Sequence, residues 1–269
     1  MANHRLLAGD CLDLLPGLDA ASVDVVVTSP PYNIGLGYAS YVDRREEAAY
    51  LDWMVAVGTA LRRVMKPDAS FFLNISGSSK SPWLPFELIV RLRPLFVLQN
   101  HITWIKSISV DDDTVGHFKP VAGARFLHQA HEHVFHLTLS GDVRLNRLAI
   151  GVPYKDKSNI ARRGHAADLR CRGNTWFIPY DTIQRKAQKF GHPGTFPLDL
   201  PRWCIRLHDR PGGLVLDPFM GTGTTLVAAA IEGCSGIGVD LDPAYVEIAR
   251  GRLHPPHVQW GCLASKTVS

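Results

Sequence analysis

The 269-residue chain has no C-x-x-C pair, and its five cysteines (Cys11, Cys171, Cys204, Cys234, Cys262) are odd in number and scattered. That spacing excludes a disulfide framework and a thiolate zinc site. No stretch of about 18 residues is both uncharged and uniformly apolar, so no membrane-spanning helix is expected. The opening residues MANHRLL lack the basic-then-apolar run of a secretory leader, which points to a cytoplasmic protein. Internal repeats and low-complexity tracts are missing. With 46% hydrophobic and 20% charged residues, the chain has enough apolar material for a sizeable globular core.

The modest net charge of +4 conceals an uneven distribution. Between Arg144 and Lys189 stand 11 Lys/Arg against three Asp, a balance of +8, which leaves −4 for the remainder. A basic block in an otherwise acidic chain is the expected footprint of phosphate-backbone binding. Arg144, Arg147, Lys155, Lys157, Arg162, Arg163, Arg170 and Arg172 are the candidate DNA contacts. Tyr154, Trp176, Phe177 and several glycines are interleaved with them, so the block reads as an ordered, loop-rich insert.

Short apolar runs alternate with helical periodicity along the chain. The patterns predict strands at 23–28, 70–75, 95–105, 134–139, 213–217 and 236–239, and helices at 43–66, 84–92, 198–207, 224–231 and 243–253. Asp43 with Glu46 has the spacing of a capping box for the first of these helices. Alternation of this kind predicts a mostly parallel, doubly wound α/β sheet covered on both faces. The expected organisation is 1–139 as one half of the domain, 140–190 as the basic insert, and 191–269 as the other half.

Two segments carry chemistry. Leu214–Thr225 reads LVLDPFMGTGTT, a strand, a glycine turn and a helix start. Gly221 and Gly223 allow close approach of a ligand, and the helix N-terminus offers free N–H groups. Asp240, at the end of the next strand, stands where a carboxylate can accept the hydroxyls of a ribose. The third glycine of a dinucleotide fingerprint is replaced by Leu226, and Asp217 in the turn would repel a pyrophosphate. These departures disfavour a nicotinamide dinucleotide and favour a nucleoside carrying an amino-acid group, as in S-adenosylmethionine.

The second segment, Thr28-Ser-Pro-Pro-Tyr-Asn33, directly follows a strand and so lies at the carboxyl edge of the sheet. Ser29 Oγ and the Pro30 carbonyl can accept the hydrogens of an exocyclic base amine. Pro30 and Pro31 hold the backbone rigid, and Tyr32 offers a face for an extruded base. Other features read as structural. His128, His131, His133 and His136 alternate as on a strand and lack a completed ligand shell. Asp111–Asp113 reads as a solvated loop, and Trp53 and Met54 as core. No metal is expected.

TSPPYN at 28–33 followed by DPFMGTGTT at 217–225 resembles the amino-group DNA methyltransferases of prokaryotes, in the permuted β-type order that places the catalytic motif first. The resemblance implies a Rossmann-like S-adenosylmethionine-dependent fold with the basic insert as target-recognition region. It implies catalytic roles for Ser29, Pro30, Pro31 and Tyr32. The cofactor would be held by Asp10, Cys11, Thr195, Phe196, Asp217, Pro218, Phe219, Gly221, Gly223, Thr224 and Asp240. The segment His192–Pro197 is similar to the one that closes over the cofactor. S-P-P-Y is similar to the cytosine-N4 subgroup. Alternatives are adenine N6 on the same scaffold, RNA as substrate, and an inactive DNA-binding module. Double-stranded DNA is the implied partner. A cognate restriction endonuclease, a homodimer and a nucleoid location accompany the family.

Overall fold

The computed structural model describes residues 2–38, 40–110, 113–116, 124–162, 168–179 and 194–253. Its elements run β1 (His4–Ala8), α1 (Cys11–Leu14), β2 (Val23–Thr28), α2 (Glu47–Val64), β3 (Met65–Ile75), α3 (Leu84–Leu92) and β4 (Val97–Ile105). They continue with β5 (Ser107–Val110), β6 (Asp113–Gly116), β7 (His131–Thr138), α4 (Ser158–Arg162), β8 (Thr175–Phe177) and α5 (Asp199–His208). The chain then forms β9 (Leu214–Asp217), α6 (Thr224–Ile231), β10 (Ser235–Asp240) and α7 (Pro243–Leu253). An eight-stranded sheet has the order β1-β10-β9-β2-β3-β7-β4-β8, and β5 pairs with β6 in a separate hairpin.

Every pairing in the large sheet is parallel except the two made by β7, which runs against β3 and β4. The mostly parallel, doubly wound α/β reading therefore holds. From β9 the chain winds outward through α6, β10 and α7, and from β2 it winds the other way through α2, β3 and α3. The order reverses between β9 and β2, the place where open α/β sheets leave a ligand crevice beyond their carboxyl ends. The 140–190 block is not wholly peripheral, because β8 extends the sheet beside β4.

Parallel strands buried on both faces need apolar residues at successive positions, and β2 is buried from Val23 through Thr28. Alternate side chains serve opposite cores. Val26, Phe71, Leu73, Leu216 and Ile237 pack with α2 and α3, while Val25, Val27, Phe72 and Val215 pack with α5 and α6. Helix α2 presents Tyr50, Met54, Val57, Leu61 and Val64 to the first core, as its period predicts.

The start of α2 differs from the capping-box expectation. Glu46 is the N-cap and accepts from the amides of Ala48 and Ala49 at 3.1 and 3.0 Å. Asp43 instead is buried and accepts from the amides of Asn33, Ile34 and Leu36, cinching the loop after the proline pair. Three loop amides converging on one carboxylate compete more strongly for it than a single helix end does. No helix among the described residues is long and apolar enough to cross a membrane.

Candidate active site

A cavity of about 830 Å³ opens beyond the carboxyl ends of β1, β10, β9 and β2. The two sequence segments converge there. Ser29, Pro30, Pro31 and Tyr32 line it, as do Pro218, Phe219, Gly221, Thr224 and Asp240. Asp10, Cys11, Thr195 and Phe196 complete that part of the wall. Parallel pairing of β1 with β10 puts Ala8 opposite Asp240, and the Gly9 amide donates to the Asp240 carbonyl at 2.9 Å. Asp10 is thereby carried to the same rim, where its Oδ1 caps α1 by accepting from the Leu12 amide at 2.9 Å.

The Asp240 carboxylate accepts the Gly221 amide on Oδ2 at 2.8 Å and the Asp242 amide on Oδ1 at 2.9 Å. Burial pushes its carboxyl up, and those amides oppose the shift. Each carboxylate oxygen has two acceptor sites, so one per oxygen remains for a ligand hydroxyl. Gly221 holds a left-handed φ of +51°, which turns its amide toward Asp240. Cys11 is buried, and burial followed by the Asp10 charge pushes its thiol up to about 12. A thiol so far from ionising serves as a small apolar wall.

Asp217 and Gly223, expected at the ligand, stand behind the wall. Asp217 is 1% exposed and spends Oδ1 on Thr28 Oγ1 and the Phe219 amide, and Oδ2 on Thr225 Oγ1. Burial raises its carboxyl to about 6 despite those donors. Gly223 is left-handed at φ +81°, and a Cβ there would lie 2.7 Å from Ala249 Cβ. Its lack of a side chain serves the close approach of α6 to α7.

The proline-proline segment joins a hydrogen-bonded chain. Ser29 Oγ donates to the Tyr32 hydroxyl at 2.9 Å, and Tyr32 donates to Glu132 Oε2 at 2.8 Å. Asn74 Nδ2 donates to the same oxygen at 3.1 Å, and Lys106 Nζ to Glu132 Oε1 at 2.9 Å. Burial and the Glu132 charge push the Tyr32 phenol well up, so it keeps its proton. Glu132, Asn74 and Lys106 had no sequence signal of their own. Glu132 lies between His131 and His133, and nothing local ties it to a tyrosine 100 positions away. Trp53 also reaches the cavity, with Phe219 at 5.4 Å and the Arg45 guanidinium 4.7 Å over its ring.

The basic block lies elsewhere. Arg144, Arg147, Lys155 and Arg170 line a second cleft of about 1200 Å³ together with His208 and Arg210. That cleft is at the amino edge of the sheet, since Arg144 follows the end of β7 and Arg210 precedes β9. Lys157 pairs with Asp168. Arg172 donates to the Ile150 carbonyl at 2.9 Å and lies 4.0 Å over the Trp203 ring. Arg163, the Arg162 side chain, His192 and Pro193 lie outside the described residues. On β7, His133 meets His101 at 3.0 Å and His136 meets Ser70 at 2.9 Å. Among the described residues no three metal-binding side chains cluster.

A doubly wound sheet with one antiparallel strand, and a cleft at its switch point holding a ribose-type carboxylate, defines a Rossmann-like S-adenosylmethionine-dependent methyltransferase fold. The family model for N6/N4 DNA methylases matches residues 23–251, and the chain belongs to that family of S-adenosylmethionine-dependent DNA methyltransferases. Among curated relatives, the DNA adenine methyltransferase YhdJ of Escherichia coli K12 is 27% identical over 256 residues, covering 92% of this chain and 82% of YhdJ. Among solved structures, the PvuII cytosine-N4-specific DNA methyltransferase superposes with a TM-score of 0.71 at 21% identity, covering 97% of this chain and 90% of that one. TTHA0409 of Thermus thermophilus, a DNA modification methylase complexed with S-adenosyl-L-methionine, gives 0.65 at 27% identity with 94% and 96% covered.

Proposed function

We propose that the protein methylates the N4 amine of cytosine in duplex DNA within the carboxyl-edge cleft. The observation that carries this reading is Ser29, which lines the same cavity as Asp240 and keeps its hydroxyl proton toward Tyr32. S-adenosylmethionine supplies an electrophilic methyl on a sulfonium. The residues present suit it: Asp240 retains acceptor capacity for ribose hydroxyls, Asp10 has an oxygen for an amino group, and Phe219 and Pro218 give apolar wall.

Toward the substrate, Ser29 Oγ and the Pro30 carbonyl accept the two amine hydrogens. This turns the nitrogen lone pair out of the ring plane and toward the electrophile. The proline pair keeps both acceptors fixed, and orientation rather than strong basicity carries the rate. Tyr32 gives the extruded base a face, and flipping costs about a few kcal/mol. The basic block between 140 and 190 supplies contacts to the phosphate backbone.

Digestion of treated, previously unmethylated DNA to nucleosides, with mass spectrometry of the products, tests the assignment. N4-methylcytosine is the expected product. N6-methyladenine would replace it with the second reading, which the likeness to the adenine enzyme YhdJ favours. No modified base at all would overturn both.

A further inference from the structure

We propose that Glu132 is a positioning residue that fixes the direction of the hydroxyl chain ending at Ser29; this rests on reading the cleft as a site of amine methylation. Glu132 stands near the start of β7, its side chain 12% exposed, with Tyr32, Asn74 and Lys106 all donating to it. A carboxylate has only acceptors and a phenol has only one hydrogen. Tyr32 therefore gives its hydrogen to Glu132, and can only accept where it meets Ser29.

The Ser29 hydrogen is accordingly committed to Tyr32, at 2.9 Å, and Ser29 shows the cleft nothing but lone pairs. An unconstrained serine hydroxyl would rotate and could donate to the amine nitrogen, occupying the electron pair that must attack. Glu132 prevents this through Tyr32 without touching the substrate. Lys106, itself 19% exposed, compensates the carboxylate at 2.9 Å, so the charge is held rather than left unpaired.

A purely structural role for Glu132 is the competing account, because its partners come from the ends of β2, β3 and β4. A double-mutant cycle separates the two. Glu132→Gln, Tyr32→Phe and the double variant are compared with the wild type for kcat, KM for duplex DNA, S-adenosylmethionine dissociation constant and thermal midpoint. Gln cannot accept at both ends, so Glu132→Gln should lower kcat about 100-fold, the scale of a misplaced reacting group, with cofactor affinity held within about twofold. In the Tyr32→Phe background the chain is already cut, and Glu132→Gln should then change kcat little.

Wild-type kcat in Glu132→Gln, or losses that multiply in the double variant, overturns the proposal. Tyr32→Phe keeps the ring and removes only the hydroxyl, so it serves if Glu132→Gln does not fold: an unchanged kcat there also overturns it. Failure of the parent reading is distinguishable, because it would appear as a wild type that methylates no base. An active wild type of either base specificity leaves that reading standing whatever Glu132 does.

Discussion

Thr28 at the end of β2 donates a 2.6 Å hydrogen bond to the carboxylate of Asp217 at the end of β9. The two strands diverge from this point, each feeding one half of the doubly wound sheet, so the bond spans the switch point. Thr225 donates to the other oxygen at 2.6 Å and ties in the start of α6. The last residue before the proline pair and the aspartate of the glycine turn are thus one buried unit.

Cutting that unit should cost stability. Thr28→Val keeps the shape and leaves Asp217 Oδ1 with the Phe219 amide alone. The expected loss is about 1–3 kcal/mol, read from urea unfolding at neutral pH. Thr225→Val should cost a similar amount. Wild-type stability in both variants would show that Asp217 finds other donors.

Gly223→Ala should act on the fold and not on ligand contacts. The new methyl would lie 2.7 Å from Ala249 Cβ, and the backbone is left-handed. Together these should cost about 1–3 kcal/mol. The folded fraction should bind S-adenosylmethionine with unchanged affinity by calorimetry. A large loss of affinity without a fall in thermal midpoint would place Gly223 at the ligand instead.

Ser29→Ala removes the hydroxyl acceptor but leaves the Pro30 carbonyl and the cavity wall. Turnover should fall by about 100-fold or more with cofactor affinity little altered, measured by single-turnover methyl transfer and calorimetry. Asp240→Ala should do the reverse at the binding step and weaken S-adenosylmethionine.

Salt dependence tests the basic cleft. Arg144→Gln and Arg147→Gln should each flatten the slope of log affinity against log salt by about one unit if each holds a phosphate. Arg172→Gln should leave the slope unchanged, because that guanidinium is spent on the Ile150 carbonyl and the Trp203 ring. Unchanged slopes for Arg144 and Arg147 would separate the amino-edge cleft from DNA binding.

Acid should destabilise the protein through two buried histidines. Burial lowers His136 to about 3 and His208 to about 4, both from an ordinary value near 6.5. The unfolded chain therefore takes up protons that the native one refuses. The stability these groups contribute is full above about pH 6.5 and is lost as pH falls toward 4 and 3, by about 2 kcal/mol each between pH 7 and 5. Asp217, raised to about 6, runs the other way: it favours the native state at low pH, and that contribution is lost as pH rises from about 4 to 6. With two groups against one, urea midpoints should fall between pH 7 and pH 5.

Strand β2, helix α2 and the glycine turn were legible because their information is local. A β-branched run stopped by two prolines, a helical period and a left-handed glycine each leave a signature within a dozen residues. The end of α2 came out as expected, but its start did not, because Asp43 was claimed by a loop ten residues earlier. Glu132 was unreadable for a similar reason, since its meaning comes from Tyr32 on another strand.

The sequence by itself determined the α/β class, the order of the two motifs and hence the family, all of which depend on residue type and spacing along the chain. Only the tertiary structure decided which of those residues face the cavity. Asp240 presents its carboxylate there, while Asp217 turns inward to Thr28 and Thr225. It also put the basic cluster of Arg144, Arg147, Lys155 and Arg170 at the opposite edge of the sheet. Orientation and edge are fixed by strand direction and by long-range hydrogen bonds, and neither is written in local spacing.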